Sequence, residues 1–171
     1  MKRCTYISVI FVLLLASATF AQTADQIVKL SATIRPKNLS PAGQKVTALL
    51  TAKIEDGWHV HALSQVPGGP TTMVVTVRAD QFFRLAAPVT STKGENKFDA
   101  NFEMNMDFYE GLVEVRVPLL VGAQVPAGTQ KVRFDVLFQT CNETTCLPPT
   151  RVHLEAIAEI AGVMVRSGQQ R

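Results

Sequence analysis

Hydrophobic alternation with a period of two, on both sides of a short cysteine loop, constrains this chain more than any other feature. From Lys131 to Thr140, Val132, Phe134, Val136 and Phe138 fall on one face, with Arg133, Asp135 and Gln139 on the other. After Cys141-Asn142-Glu143-Thr144-Thr145-Cys146-Leu147-Pro148-Pro149 the pattern returns through Val152, Leu154 and Ala156. Successive side chains of a β-strand point to opposite faces, so these segments predict two half-buried strands. The two cysteines then sit at the tip of a hairpin, near enough in sequence to bridge.

The rest of the chain repeats the β pattern. Ile27 to Arg35 alternates and ends at Pro36, and Val46, Ala48, Leu50, Ala52 and Ile54 share one face of Gln44 to Ile54. Asp56-Gly57 turns into Trp58-His59-Val60-His61-Ala62, and Pro67-Gly68-Gly69-Pro70 is a loop, since it cannot be strand or helix interior. Thr71 to Arg78 is a further strand with Met73, Val75 and Val77 on one side. Lys97 to Met106 reads as a strand through Phe98, Ala100, Phe102 and Met104, interrupted by Asp107-Phe108-Tyr109-Glu110-Gly111 as a turn exposing two aromatics. Leu112 to Val121 resumes as a strand whose Pro118 suggests an edge or a bulge. No repeat, heptad or long amphipathic helix is present. Seven to nine short strands between frequent turns predict an all-β, antiparallel sandwich in one domain.

Residues 1–21 read as a secretory signal peptide. Lys2 and Arg3 form a positive start, Tyr6 to Phe20 is apolar, and small residues place cleavage after Ala18 or Ala21. The alternative is an uncleaved anchor, although a span needs about 20 apolar residues. Residues 22–160 form the expected sandwich, and 161–171 a polar, Gly-containing tail read as mobile. Cleavage removes Cys4, leaving Cys141 and Cys146, and takes the formal charge from +3 to +1. A near-neutral exported domain carries no electrostatic footprint for nucleic acid or anionic membrane. The mature product is expected to be soluble, in a compartment where disulfides persist.

A ring of this size stabilises a fold by only about 2 kcal/mol in the loop-entropy account. A redox pair needs exposure, an attackable thiolate and a suitable potential, and a loop tip flanked by Pro148-Pro149 supplies exposure and stiffness. The C-x4-C spacing by itself leaves staple and reagent both open.

Three segments, together spanning roughly Ile27 to Ile160, carry a resemblance. They are Asp56-Gly57-Trp58-His59-Val60-His61 with Pro67-Gly68-Gly69-Pro70-Thr71, then Asp107-Phe108-Tyr109-Glu110-Gly111, then Phe138-Gln139-Thr140-Cys141 through Cys146-Leu147-Pro148-Pro149. In that order they resemble the amino-terminal periplasmic domain of the thiol:disulfide interchange protein DsbD family. The resemblance implies an immunoglobulin-like sandwich that relays electrons through one cysteine pair, Cys141 and Cys146, with Cys146 the sulfur attacked by partners. It implies that Phe108, with Tyr109 beside it, caps the disulfide, and that His59 and His61 neighbour the site together with Glu143 of the loop. It implies no small-molecule cofactor or substrate, because the dithiol is the carrier. The implied partners are periplasmic thioredoxin-like proteins and a separate membrane thiol reductase.

Two other readings compete. One is a non-catalytic binding or adaptor sandwich with a structural disulfide. The other is copper handling by His59, His61, Met104 and Met106, since imidazoles and thioethers suit copper and each pair shares a strand face. Hydrolase and nucleotide-binding readings have no supporting motif.

Overall fold

The structure is a computed structural model that describes residues 22–39, 43–63, 68–79 and 82–162. The expected signal segment, Pro67 and nearly all of the expected tail lie outside the described residues. A short helix, α1 (Ala24–Ile27), leads into β1 (Val28–Arg35), β2 (Asn38–Leu39), β3 (Lys45–Ile54), β4 (His59–His61) and β5 (Val74–Val77). There follow β6 (Phe83–Leu85), β7 (Thr90–Ser91), β8 (Glu95–Asp99), β9 (Met104–Tyr109) and β10 (Leu112–Val121). The last described strands are β11 (Gly128–Phe138), β12 (Thr140–Cys141) and β13 (Thr150–Ile160). Among the described residues thirteen strands exceed the seven to nine expected, because five are ladder pieces of two or three residues too short to show a period. The eight longer ones match the expected number.

Three sheets result. The first runs β1-β3-β10, with β6 and β7 both pairing β10; the second runs β2-β13-β11-β5; the third runs β12-β4-β9-β8. The first two enclose the core. Val46, Ala48, Leu50, Ala52 and Ile54 of β3 are buried with Val113, Val115, Val117 and Leu119 of β10. From the second sheet they meet Val132, Phe134, Val136 and Phe138, the alternating residues of β11. Burial of such side chains stabilises by about 1.5–3 kcal/mol each, which is why the alternation dictates the register. Among the described residues no helix is long and apolar enough to cross a membrane.

Two expectations about strands are corrected. Lys97 to Met106 is not one strand but a hairpin, in which residues 100–103 turn between β8 and β9. Asp99 Oδ1 accepts hydrogen bonds from the Asn101 and Phe102 amides at 2.7 and 3.3 Å, and Glu103 adopts φ 53°. Short Asp and Asn side chains that bond the local backbone are turn formers, and here they override the apolar period. Pro118, expected on an edge or bulge, lies within β10, paired to Thr47 of β3. Its carbonyl accepts from Ala86 N on the opposite side, where pairing passes from β6 to β7. Carbonyl and nitrogen of one strand residue point the same way, so the missing donor faces a gap in the ladder and not β3.

Candidate functional site at the cysteine loop

The third sheet carries the cysteines. β11 and β13 pair from Gly128↔Ile160 to Phe138↔Thr150, so the hairpin of the sequence reading is present. The connection is an excursion rather than a tip, however. It leaves the second sheet at Gln139 and adds β12 to β4 through Thr140↔Val60 and Cys141↔His59. Gln139 secures the crossing, its Oε1 accepting from Thr71 N at 3.2 Å and its Nε2 donating to the Leu147 carbonyl at 3.2 Å. The loop closes on itself, with Asn142 N donating to Thr145 O at 2.9 Å. Asn142 Oδ1 accepts from the Thr144 and Thr145 amides at 3.0 and 2.8 Å.

Cys141 and Cys146 are joined by a disulfide. The two sulfurs differ in access: Cys141 is wholly buried, whereas Cys146 is part-exposed on the outer limb of the loop.

Alternation along β4 and β9 sorts the neighbours. Val60 pairs with Tyr109 and both join the core, while His61 pairs with Phe108 on the opposite face, the face that holds Cys141 and His59. Phe108 stacks on His59 at 4.2 Å between centroids and 29° between planes, and meets His61 edge-on at 5.4 Å. Phe102, from the β8–β9 turn, meets His61 edge-on at 5.9 Å. One ligating atom each of His59, His61 and Cys141 lie within 4.8 Å of one another.

The expected turn exposing Phe108 and Tyr109 is corrected. The strand runs through both, the turn begins at Glu110, and the two are 4 % and 3 % exposed. Gly111 makes the turn with φ 61°, a conformation glycine enters without a Cβ clash. Gly94 lets the neighbouring backbone come close, since a Cβ there would lie 2.9 Å from the Phe108 carbonyl oxygen. Adjacent strand residues face oppositely, so only Phe108 looks toward the cysteine face. Tyr109 is a core residue whose hydroxyl bonds Ser91 Oγ and accepts from Leu63 N. Glu143 is exposed and lines a cleft with His59, Phe108, Glu110 and Asn142. Met106 is buried and Met104 half-buried on β9, paired across to Lys97 and Asp99 respectively.

The residue that sequence reasoning missed is Asp99. It is 2 % exposed, and its Oδ2 lies 3.1 Å from His61 Nε2 and 3.9 Å from His59 Nε2. Its only signal was the Asp-Ala-Asn turn chemistry that breaks the alternation at that point. Burial works to raise the Asp99 carboxyl, but the His61 hydrogen bond and the Asn101 and Phe102 amides outweigh it and hold it below the usual value. Burial pushes His59 down, with the neighbouring His61 adding to the effect and Asp99 opposing it. Burial also pushes His61 down, against the hydrogen bond it donates to Asp99. Burial thus favours the neutral form of both imidazoles. Farther out, Lys97 Nζ donates to Glu110 at 2.9 Å and pairs with Glu95 at 3.0 Å, tying the rim of the cleft across β8 and β9.

These shifts set a pH dependence. An unfolded chain takes up protons on both histidines below about pH 6.5, where the folded chain resists them, so stability falls as pH drops. The slope is at most about 1.4 kcal/mol per pH unit for each histidine. Asp99 acts in the same direction in a lower window, losing its contribution as pH falls below 3.8 toward its folded value. Urea midpoints of the oxidised protein, with chelator present, are expected to fall between pH 7.5 and 5.5. His59→Gln/His61→Gln should flatten that slope; an unchanged slope would remove the histidines from the account.

The fold and site define a class: an immunoglobulin-like β-sandwich with a disulfide in a loop excursion, one cysteine buried and one part-exposed. The chain belongs to the family described as thiol:disulfide interchange protein DsbD, N-terminal, whose sequence profile matches residues 24–156. Among solved structures it is similar to the Neisseria meningitidis DsbD N-terminal domain in its reduced form. The TM-score is 0.53 at 15% identity, over 81% of this chain and 90% of that one. A weaker likeness is to BcpA, the major pilin subunit of Bacillus cereus, at TM-score 0.43 and 9% identity, over 77% of this chain and 40% of that one. No curated protein sequence matches the chain.

Proposed function

We propose that this protein is an exported thiol–disulfide exchange domain, periplasmic after removal of residues 1–21, with residues 22–160 as its working unit. Cys141 and Cys146 are its redox pair and no other cofactor takes part. In the reducing direction, the Cys146 thiolate attacks a partner disulfide, forming a mixed disulfide and releasing one partner thiolate. Cys141 then attacks Cys146 Sγ, closing the internal bridge and freeing the partner with two reduced sulfurs. Thioredoxin-like proteins are the partners, and a separate membrane reductase returns the electrons.

The observation that carries this reading is the asymmetry of the pair: Cys141 is wholly buried and Cys146 part-exposed, beside an aromatic and histidine cluster. A staple has no need of one reachable sulfur, whereas a two-step exchange needs a first sulfur outside and a resolving one within.

The reduction potential of the purified protein tests it. Equilibration in glutathione buffers, followed by thiol trapping and mass spectrometry, is expected to give a value between about −180 and −270 mV, the range of exchange-active dithiols. A value below about −300 mV would mark a structural bridge and favour an adaptor role.

A further inference from the structure

The exchange steps proposed above assign no proton or bond to His59 or His61. They lie two apart on β4, and β12 brings Cys141 directly opposite His59. Three ligating atoms thus converge within 4.8 Å, and Cys146 Sγ is bonded to one of them. His59 Nε2 is buried without a hydrogen-bond partner, a position that costs the nitrogen its hydration with no return. Asp99 fixes His61 through Nε2, the arrangement by which a carboxylate orients an imidazole that ligates through its other nitrogen.

We infer that the reduced form of this protein is a Zn2+ site of the Cys2His2 type, with Cys141, Cys146, His59 and His61 as ligands. Neighbouring ligand atoms in a tetrahedral zinc site lie roughly 3.4–3.8 Å apart. The observed cluster is about 1 Å wider, within reach of side-chain rotation, and reduction lets the two sulfurs separate toward that spacing. Charge selects the ion. Two thiolates neutralise a dication, whereas a monovalent ion would leave a net negative charge buried beside Asp99. The approach is acidic: Glu55, Asp56, Glu110 and Glu143 line the cleft that opens at His59. Oxidation abolishes the site, because a disulfide offers no thiolate. Metal occupancy and exchange activity therefore exclude each other on the same sulfurs.

The inference goes beyond the proposed function and shares with it only a reducible bridge. A phosphine breaks the Sγ–Sγ bond, supplying two electrons and ending as its oxide, and water supplies the protons of two thiols. Zn2+ then binds with release of two protons.

The test is competition of reduced and oxidised protein lacking residues 1–21, whose only cysteines are Cys141 and Cys146, with a chromophoric chelator for Zn2+, with free thiols counted by alkylation in each sample. The reduced wild type is expected to bind one ion and the oxidised form none. His59→Gln should weaken binding at least about tenfold, and Asp99→Asn about tenfold through His61. Co2+ in place of Zn2+ should give the intense visible bands of a tetrahedral thiolate site, weakened in His59→Gln. Oxidised melting curves of both variants establish that they fold. Equal affinity in wild type and His59→Gln would overturn the site by reducing it to a bare dithiol, and so would two free thiols that take up no zinc. A bridge that resists reduction would overturn both this inference and the proposed function, which separates that outcome from the other two.

Discussion

Cys141→Ala protein is expected to accumulate a covalent complex with a thioredoxin-like partner, and Cys146→Ala protein to accumulate none. The difference follows from access. Cys146 is the part-exposed cysteine and Cys141 is buried where β12 pairs with β4. With Cys141 gone, the Cys146 thiolate still attacks a partner disulfide, but no second thiol sits behind it to break the mixed disulfide. With Cys146 gone, the remaining thiol is buried and meets nothing. Exchange turnover should fall to background in both variants, while only one traps a partner on a non-reducing gel. The loss of the bridge itself costs the fold only about 2 kcal/mol, so both variants should remain folded and the contrast is chemical. Equal trapping by the two, or trapping by Cys146→Ala alone, would reverse the assignment.

The second large effect is expected at Phe108. Its ring stacks on His59 and lines the cleft shared with Asn142 and Glu143, and the proposed exchange role makes it the cap over the cysteine loop. Phe108→Ala should speed reduction of the bridge by a small dithiol by about tenfold, since access of the attacking thiolate limits exchange. The same change removes a buried aromatic and should destabilise the domain by about 3 kcal/mol. Phe108→Leu should lie between. Stopped-flow reduction at a temperature well below unfolding separates the two effects. An unchanged rate would mean that the ring packs without guarding. Tyr109→Phe, by contrast, should leave the reduction rate alone and cost stability, because its hydroxyl serves Ser91 and Leu63 N in the core.

Much of the fold was legible in the chain. The alternating sets of β3 and β11 are buried as read, because one-face burial leaves a strand a single workable register. The site was legible in part. His59, His61, Phe108 and the cysteines could be nominated singly, from spacing and resemblance. What failed was local: Asp107 to Gly111 looked like a turn because it is polar at both ends, yet the Met106 and Phe108 period continues through it. The β8–β9 hairpin failed in the opposite way, since Phe98, Ala100, Phe102 and Met104 alternate across what is a turn. In both places the competing signals were within a few residues of each other and close in strength. The pairing of β9 with β4 and β8 resolved them.

Period-two alternation and turn residues determined by themselves that this chain is a β-sandwich with two cysteines, near enough to bridge, in a short loop between paired strands. These are properties of neighbours along the chain, and strand geometry converts them directly into faces. Only the tertiary structure decided that β12 leaves its own hairpin to pair with β4. That pairing buries Cys141, leaves Cys146 reachable, and gathers His59, His61, Asp99 and Phe108 around them. Such contacts join residues some forty to eighty positions apart, such as His61 with Asp99 and Thr140 with His59. No local period encodes them, because hydrogen bonding between strand edges is nearly indifferent to side-chain identity and is settled by which edges the packed core leaves free.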